Sequence, residues 1–226
     1  MFSFFWDFNG EPAFPESSFK VKFEQKDSFH LKEGDLLFQD SDCGPFCEAI
    51  EKVTIGVNHA KFSHIGLVVK NQNGELVVLE AISKGVIETP VRSFLTRSFD
   101  TDNNPKVVVG RIKTGNAHLI RPAIDSARLR TGKAYDEIFD INNDEYYCSE
   151  LIYLAFKEAN GGHPLFKLEP MTFNDPDTNE PFPIWVDYYK KLGVAIPEDQ
   201  PGLNPGSISR SDCLEIVHYY GQPDVK

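Results

Sequence analysis

The chain has 226 residues, a formal net charge of −11 and a hydrophobic fraction of 41%, which is enough apolar sequence for the core of one large domain over residues 1–226. The acidic excess argues against nucleic-acid binding and against anionic membrane surfaces, because both need clustered Lys and Arg. No run approaches the ~18–20 apolar residues of a membrane-spanning helix. We therefore expect no nucleic-acid partner and no membrane span.

Residues 1–28 are rich in Phe without a clear period, and we expect them to form an arm packed on the main body. The first basic residue is Lys20 and Asp7 interrupts the apolar start, whereas a secretory signal begins with basic residues and continues with a longer apolar stretch. Four irregularly spaced cysteines are too few for a disulfide scaffold and fit thiols in a reducing compartment. The sequence therefore predicts no secretory signal and a cytoplasmic protein.

The first half of the chain alternates short strands with turns and helices. Apolar and β-branched runs predict strands at 36–38, 63–69, 76–81 and 106–112, and helices are predicted at 48–55 and 117–130. Asn71-Gln72-Asn73-Gly74 is a hairpin signal between the second and third strands.

The register of this hairpin decides which side chains share a face. A three-residue loop over 72–74 places Gly66 opposite Glu80, so that His64 and Glu80 project from the same face as diagonal neighbours. Gly66 has no side chain and leaves room for their approach. A two-residue loop, Asn73-Gly74, would put His64 and Glu80 on opposite faces.

A predicted helix carries Cys148. We expect Asn143 or Asp144 to cap it and Gly161-Gly162 to end it. One continuous apolar stripe at helical spacing is formed by Cys148, Leu151, Ile152, Ala155, Phe156 and Ala159. Cys148 therefore lies in the first turns and faces the body of the protein, where the partial positive charge of the helix N-terminus favours its thiolate.

Eight of the 15 prolines lie between Pro164 and Pro205. We expect residues 164–210 to form a mostly irregular covering segment, held down by Trp185 and by Tyr188-Tyr189. Irregular segments of this length are uncommon unless they are functional, so we hypothesise that this segment is a lid over the site.

Cys148, His64 and Glu80 together favour nucleophilic catalysis, because a catalytic thiol needs a base and the base needs an orienting group. Each residue alone has a commoner explanation. A Cys on an apolar stripe is usually a small buried hydrophobe, and a His at a strand start is usually a capping or surface residue. A carboxylate at Glu80, among Val and Leu, must be paired or exposed.

Five motifs occur in one order along the chain. They are Gly-Asp-Leu-Leu-Phe-Gln at 34–39, Ser-His-Ile-Gly-Leu-Val at 63–68, Leu-Glu-Ala at 79–81, Ala-Tyr-Asp at 134–136 and Tyr-Cys-Ser-Glu-Leu-Ile at 147–152. This order resembles the YiiX/YebB-type branch of the NlpC/P60 cysteine hydrolases, circularly permuted papain-like amidases in which the histidine precedes the cysteine. Over residues 30–160, the resemblance implies an α+β fold with a small antiparallel sheet packed against the helix that carries the cysteine.

The resemblance also implies a cysteine amidase or peptidase that cleaves an amide bond of a small peptide or a cell-wall peptide fragment through an acyl-enzyme. Cys148 would be the nucleophile, His64 the general base and Glu80 the group that orients the imidazole. Tyr147 and, more weakly, Gln39 would help the backbone N–H of Cys148 to hold the oxyanion. We expect neither a cofactor nor a metal ion, and the sequence leaves the oligomeric state open.

Two other functions stay open. The same triad serves thioesterases and acyltransferases on lipid substrates in relatives of this fold, and a non-catalytic binding domain could keep the fold. An open apolar cleft would favour a lipid, whereas a charged pocket for a free amine or carboxylate would favour a peptide. Separation of His64 from Cys148 would favour the binding domain.

Other possible sites have weaker patterns. Cys43 and Cys47 resemble a redox Cys-x-x-Cys with one residue too many. A zinc site there would need two more ligands, and His30 and His59 are available but lack ligand spacing. We expect the two cysteines at most to line the cleft, and Cys213 to lie in the core.

His59 is the rival of His64, because it also precedes the second strand, but we expect it in an exposed loop or helix end. The acidic run 136–145 lacks the central glycine and the terminal glutamate of a calcium-binding EF loop. We therefore expect that run to be a solvated face.

Overall fold

The computed structural model describes residues 29–226, so the expected N-terminal arm over residues 1–28 lies outside the described residues. The strands are β1 (Leu36–Gln39), β2 (His64–Lys70), β3 (Leu76–Ile82), β4 (Gly85–Pro90), β5 (Val107–Ile112), β6 (Glu169–Pro170), β7 (Pro201–Gly202) and β8 (Leu214–Tyr219). The helices are α1 (Pro45–Val53), α2 (Val91–Leu95), α3 (Ile120–Arg128), α4 (Cys148–Ala159), α5 (Pro183–Leu192) and α6 (Pro205–Ser209), with 3₁₀ turns at Val57–His59 and Thr114–Leu119.

Six strands form one antiparallel sheet in the order β4-β3-β2-β1-β5-β8. The β2–β3 hairpin is closed where the Asn71 N–H donates to the Glu75 carbonyl at 2.8 Å, and Leu67 lies opposite Leu79. This is the register of the three-residue loop, and the prediction that it brings His64 and Glu80 to one face is confirmed.

The two faces of the sheet have different covers. On one face, Ile65 and Leu67 pack with Leu151 and Ile152 of α4 in the main core. The opposite face forms a smaller core of Leu37, Val68, Val78, Phe94, Leu95, Val107 and Val109. The predicted α+β class, with an antiparallel sheet packed against the cysteine helix, is confirmed.

Helix α4 begins later than predicted. Its N-cap is Tyr147, and Cys148 is the first helical residue, so the expected cap at Asn143 or Asp144 is wrong. Asn143 instead accepts the Glu145 N–H at 2.7 Å and caps a local turn. The predicted end at Gly161-Gly162 is confirmed, because both glycines have positive φ, which favours glycine there.

The proline-rich segment is more regular than predicted. It contains α5, whose first residue is Pro183, a position that tolerates proline because its N–H has no partner within the helix. Most of the segment lies outside helices and strands, as predicted, but α5 was not predicted. Trp185 and Tyr189 are buried as expected, and Trp185 packs on Phe46 of α1 with ring centroids 4.4 Å apart.

Cys43 and Cys47 form a disulfide with a Cα–Cα separation of 5.4 Å, which corrects the expectation of free thiols at both positions. The cysteine spacing therefore no longer supports a reducing compartment. Cys148 and Cys213 are free, and Cys213 is half-buried beside the main core. Within residues 29–226, none of the helices has the length and hydropathy needed to cross a membrane.

Candidate active site

The candidate site lies at the end of the sheet where β2 begins. His64 is the first residue of β2 and lies opposite Gln39, the last residue of β1. Because successive residues of a strand face opposite sides, His64 is directed away from the face that α4 covers. Cys148 is the first residue of α4. At this position its thiol can reach the imidazole at the end of the strand, although α4 covers the other face of the sheet.

The three residues predicted as a triad are brought together. The imidazole Nε2 of His64 lies 2.6 Å from Oε2 of Glu80, whose side chain is fully buried. The thiol of Cys148 lies near the His64 ring and the backbone N–H of Ile65, which both lower the pKa of the thiol, and its Sγ lies 3.7 Å from the Ser149 hydroxyl. Since Glu80 engages Nε2, the Nδ1 nitrogen is the one left for the thiol.

The electrostatics of Cys148 and His64 favour an ion pair. Burial alone would raise the pKa of the Cys148 thiol, but the hydrogen bond and charge of His64 outweigh burial and hold that pKa below its ordinary value. Burial alone would lower the pKa of His64, but Cys148 and Glu80 raise it to about 9. At neutral pH, these shifts favour a thiolate beside an imidazolium.

Glu80 has a full set of hydrogen-bond donors. Arg97 donates from Nη1 to Oε2 at 2.8 Å and from Nη2 to Oε1 at 2.6 Å, and the Thr89 hydroxyl donates to Oε1 at 2.5 Å. Burial raises the pKa of Glu80, but Arg97 and His64 bring it down to about 2. The carboxylate therefore stays ionised although water does not reach it.

Arg97 and Thr89 were not predicted from the sequence. The only signal was indirect, because a carboxylate inside a Val- and Leu-rich strand needs a partner. Nothing in the local sequence shows that Arg97, beyond the next strand, supplies that partner.

Gly66 makes room for packing over strand β2. A Cβ at this position would lie 2.3 Å from Cγ1 of Val78, 3.2 Å from Cε2 of Phe94 and 3.6 Å from Cβ of Glu80. The Phe94 ring in turn lies beside the His64 ring, with centroids 5.7 Å apart. A glycine is needed here as predicted, but the space that it leaves is taken by Val78 and Phe94 and not by the approach of His64 to Glu80.

Tyr147 and Gln39 both lie at the site, each with a hydrogen-bond partner. The Tyr147 hydroxyl accepts the Leu203 N–H at 3.3 Å, and burial raises the pKa of this phenol far above its usual value. Gln39 is fully buried, and its amide nitrogen donates to the Phe94 carbonyl at 2.9 Å. The oxyanion roles of Tyr147 and Gln39 stay predictions.

Tyr135 is a further residue that sequence analysis did not place in the site. Burial and the charge of nearby Cys148 raise the pKa of its phenol well above the usual value. Tyr135 also lines a cleft of about 450 Å³, together with the charged side chains Lys84, Glu137 and Glu145. Leu192, at the end of α5, lines the same cleft.

The structure also shows where His59 and the acidic run 136–145 lie, which the sequence suggested as alternative sites. His59 lies in the Val57–His59 turn and is exposed, as expected. The acidic run 136–145 is largely solvated, but Asp136 is fully buried, which corrects the prediction of a solvated face at that residue.

Comparison with known proteins places this chain in a family. A profile described as the permuted papain-like amidase enzymes of the YaeF/YiiX type, C92 family, matches residues 30–218. The uncharacterized protein YiiX of Escherichia coli K12 is 30% identical over 185 residues, which cover 81% of this chain and 84% of that protein.

A solved structure has the same fold. The crystal structure of the metalloprotein yiiX from Escherichia coli O157:H7 superposes with a TM-score of 0.67 at 23% identity, covering 85% of this chain and 99% of that chain.

Proposed function

The chain belongs to the YaeF/YiiX-type family of permuted papain-like amidases, and we propose that it is a cysteine hydrolase that cleaves an amide bond of a small peptide or a cell-wall peptide fragment. The observation that carries the proposal is the placing of Cys148 near His64 at the start of β2, with 2.6 Å between the imidazole and the Glu80 carboxylate. Family membership independently supports hydrolase activity.

The proposed reaction is acyl transfer through Cys148. Its thiolate attacks the carbonyl carbon, and the His64 imidazolium gives its proton to the leaving amine as the C–N bond breaks. The neutral imidazole then takes a proton from water, which attacks the thioester. The acid product leaves and the thiolate–imidazolium pair is restored, while Glu80 holds the ring throughout.

Negative charge on the carbonyl oxygen needs hydrogen-bond donors. The backbone N–H of Cys148 lies at the start of α4, where the helix dipole favours negative charge. We assign supporting roles to Tyr147 and to Gln39, which keeps a second amide hydrogen after bonding to Phe94. The neutral phenol of Tyr135, near the thiol, is a third candidate donor.

The charged cleft beside Tyr135 supports a peptide rather than a lipid substrate. Lys84, Glu137 and Glu145 line it, and such groups suit a free amine or carboxylate better than an acyl chain. Leu192 contributes to the same cleft, which supports the hypothesis that the segment 164–210 covers bound substrate.

The E. coli structure is described as that of a metalloprotein, which raises the question of a metal ion here. Among residues 29–226, the group able to offer three ligand atoms is Asp40, Asp42 and Asp224. The Lys106 ammonium lies 3.3, 2.5 and 3.6 Å from these carboxylates. The Lys106 ammonium already supplies the positive charge that a metal ion would bring, so this group of carboxylates does not fit a bound metal.

The test is alkylation by iodoacetamide at each free cysteine as a function of pH. We expect Cys148 to react rapidly well below pH ~8.5, the ordinary thiol pKa, and at least about tenfold faster than Cys213, whose pKa is raised by burial. His64→Ala should remove this advantage, whereas His59→Ala, which changes an exposed histidine before the same strand, should not.

The outcomes separate the candidate functions. An unchanged rate in His64→Ala would contradict the catalytic pair and support a binding domain. If the pair is present, turnover of matched amide and thioester substrates decides between an amidase and a thioesterase.

A further inference from the structure

Two buried carboxyl groups lie behind the nucleophile and have no role in the proposed reaction. Glu150 is the third residue of α4, two positions after Cys148, and Asp136 lies in the loop that precedes this helix. Both side chains are fully buried. A buried carboxyl group without a compensating charge is costly when ionised, so these two groups need an explanation.

Each group has one satisfied oxygen and one orphan oxygen. Oε2 of Glu150 accepts the Tyr147 N–H at 3.1 Å, and Oδ1 of Asp136 accepts the N–H groups of Ile138 and Phe139 at 2.9 and 3.0 Å. Oε1 of Glu150 and Oδ2 of Asp136 have no hydrogen-bond partner among the described residues. One proton on Oε1 would convert an orphan acceptor into a donor.

The charges around Glu150 favour that proton. Burial raises the pKa of Glu150 to about 8, Asp136 and Asp140 add to the rise, and the Tyr147 N–H and Arg130 oppose it. Arg130 forms an ion pair with Glu158, in which Nη2 of Arg130 lies 2.5 Å from Oε1 of Glu158. Burial also raises the pKa of Asp136, although the Asn143 amide and nearby backbone N–H groups oppose the rise.

We propose that Glu150 is an uncharged positioning residue, which carries its proton on Oε1, donates it to Oδ2 of Asp136 directly or through one water, and thereby fixes the helical turn that presents Cys148. The neutral acid keeps the cap on the Tyr147 N–H. It also avoids a negative charge close to the thiolate, which would oppose ionisation of Cys148. The inference rests on the proposed function only in that Cys148 is the nucleophile.

The sign of the pH effect follows from the raised pKa. In the unfolded chain, Glu150 loses its proton near its ordinary pKa of 4.5, whereas the folded protein holds it to about 8. Between these values the native state binds the extra proton, so this group makes the protein less stable as the pH rises through that window. Glu150→Gln cannot ionise and lacks this loss.

The experiment compares Glu150→Gln, Glu150→Ala and, as a control, Glu215→Gln, which changes an exposed carboxylate on β8. Relative to Glu150→Gln, the wild-type Tm should fall by about 5 °C or more between pH 5.5 and 8. Cys148 alkylation at pH 7 should stay within about threefold in Glu150→Gln and slow by about fivefold or more in Glu150→Ala, which loses the cap acceptor.

A Tm difference between wild type and Glu150→Gln that does not change with pH would overturn the inference, as would a Gln variant that alkylates as slowly as the Ala variant. If Glu150→Ala does not fold, the Tm profile of Glu150→Gln still decides. The Tm profile does not depend on catalysis, so failure of the His64→Ala test would remove the proposed function without deciding the state of Glu150.

Discussion

Arg97 and His64 share one carboxylate. Oε2 of Glu80 lies 2.8 Å from Nη1 of Arg97 and 2.6 Å from Nε2 of His64, while the second guanidinium nitrogen pairs with Oε1. Arg97 also lies over the Phe94 ring, 5.0 Å from its centroid. The orientation of the imidazole therefore depends on a cation that does not touch the thiol.

Replacement of Arg97 tests whether the orientation of the His64 imidazole depends on this cation. In Arg97→Met, the buried Glu80 loses its main partner, so the pKa of Glu80 should rise and its carboxylate should no longer hold the His64 ring in place. The thiolate is then less stabilised, and the acid limb of Cys148 alkylation should move to higher pH. We expect turnover to fall about tenfold or more and the free energy of unfolding to drop by about 3 kcal/mol.

Arg92→Met is the matched control, because Arg92 is exposed on α2 and its loss should change neither quantity. Arg97→Lys should give an intermediate shift, since an ammonium keeps the charge but not the two-point contact. An alkylation profile for Arg97→Met that overlays the wild type would show that Arg97 does not act on the imidazole.

Gly66 offers a test of packing behind the triad. In Gly66→Ala, the new methyl group would lie 2.3 Å from Cγ1 of Val78, and both strands are held by the sheet. We expect a loss of about 1–3 kcal/mol in the free energy of unfolding, measured by urea denaturation.

Gly115→Ala is the control, since a Cβ there meets nothing within 4 Å. In the double variant Gly66→Ala/Val78→Ala the clash disappears, so the two losses should fall short of additive by about 1 kcal/mol. Strict additivity would place the cost of Gly66→Ala elsewhere.

Local signals explain why part of the fold was predictable. The β2–β3 hairpin was predicted because Asn71-Gln72-Asn73-Gly74 and the flanking apolar runs act within 20 residues, whereas its register was left open between a two-residue and a three-residue loop. Strands β4 and β8 were not predicted, because both are edge strands with half-exposed side chains, and β8 pairs with β5 about 100 residues away. Helix α5 was hidden because the prolines around it suggested irregular chain, although Pro183 starts the helix.

The candidate site likewise contains residues that the sequence could predict and residues that it could not. His64 and Glu80 could be brought together from the register, and Cys148 from the helical stripe. Arg97 could not be found, because its contact depends on how β4 and α2 return over the sheet. The role proposed for Glu150 could not be predicted from the sequence either, since a glutamate three residues after a helix cap usually indicates an ordinary exposed capping box.

The disulfide was missed because spacing alone does not fix geometry. Gly44, with φ of 75°, turns the chain between Cys43 and the start of α1, where Cys47 lies. The turn brings the two Cα atoms to a distance that a disulfide can bridge.

Thiol counting tests the disulfide directly. In denaturant without reductant, we expect two titratable thiols, Cys148 and Cys213, and four after reduction. Cys213→Ser should lower the first count to one. The double variant Cys43→Ser/Cys47→Ser should lose about 2 kcal/mol of stability, because the bridge restrains a short loop of the unfolded chain. Its Cys148 should still alkylate rapidly, since the contacts of Glu80 with His64 and with Arg97 do not involve the bridge.

Four thiols in the unreduced protein would contradict the disulfide and would restore the argument from cysteine spacing for a reducing compartment. Slow alkylation of Cys148 in the double variant would instead show that the bridge supports the site. The bridge could then act on the site in two ways. One is through β1, where Gln39 lies opposite His64, and the other is through α5, where Trp185 packs on Phe46 of α1. Phe46→Ala, which leaves the bridge intact, separates these routes, because only the route through α5 passes through its ring.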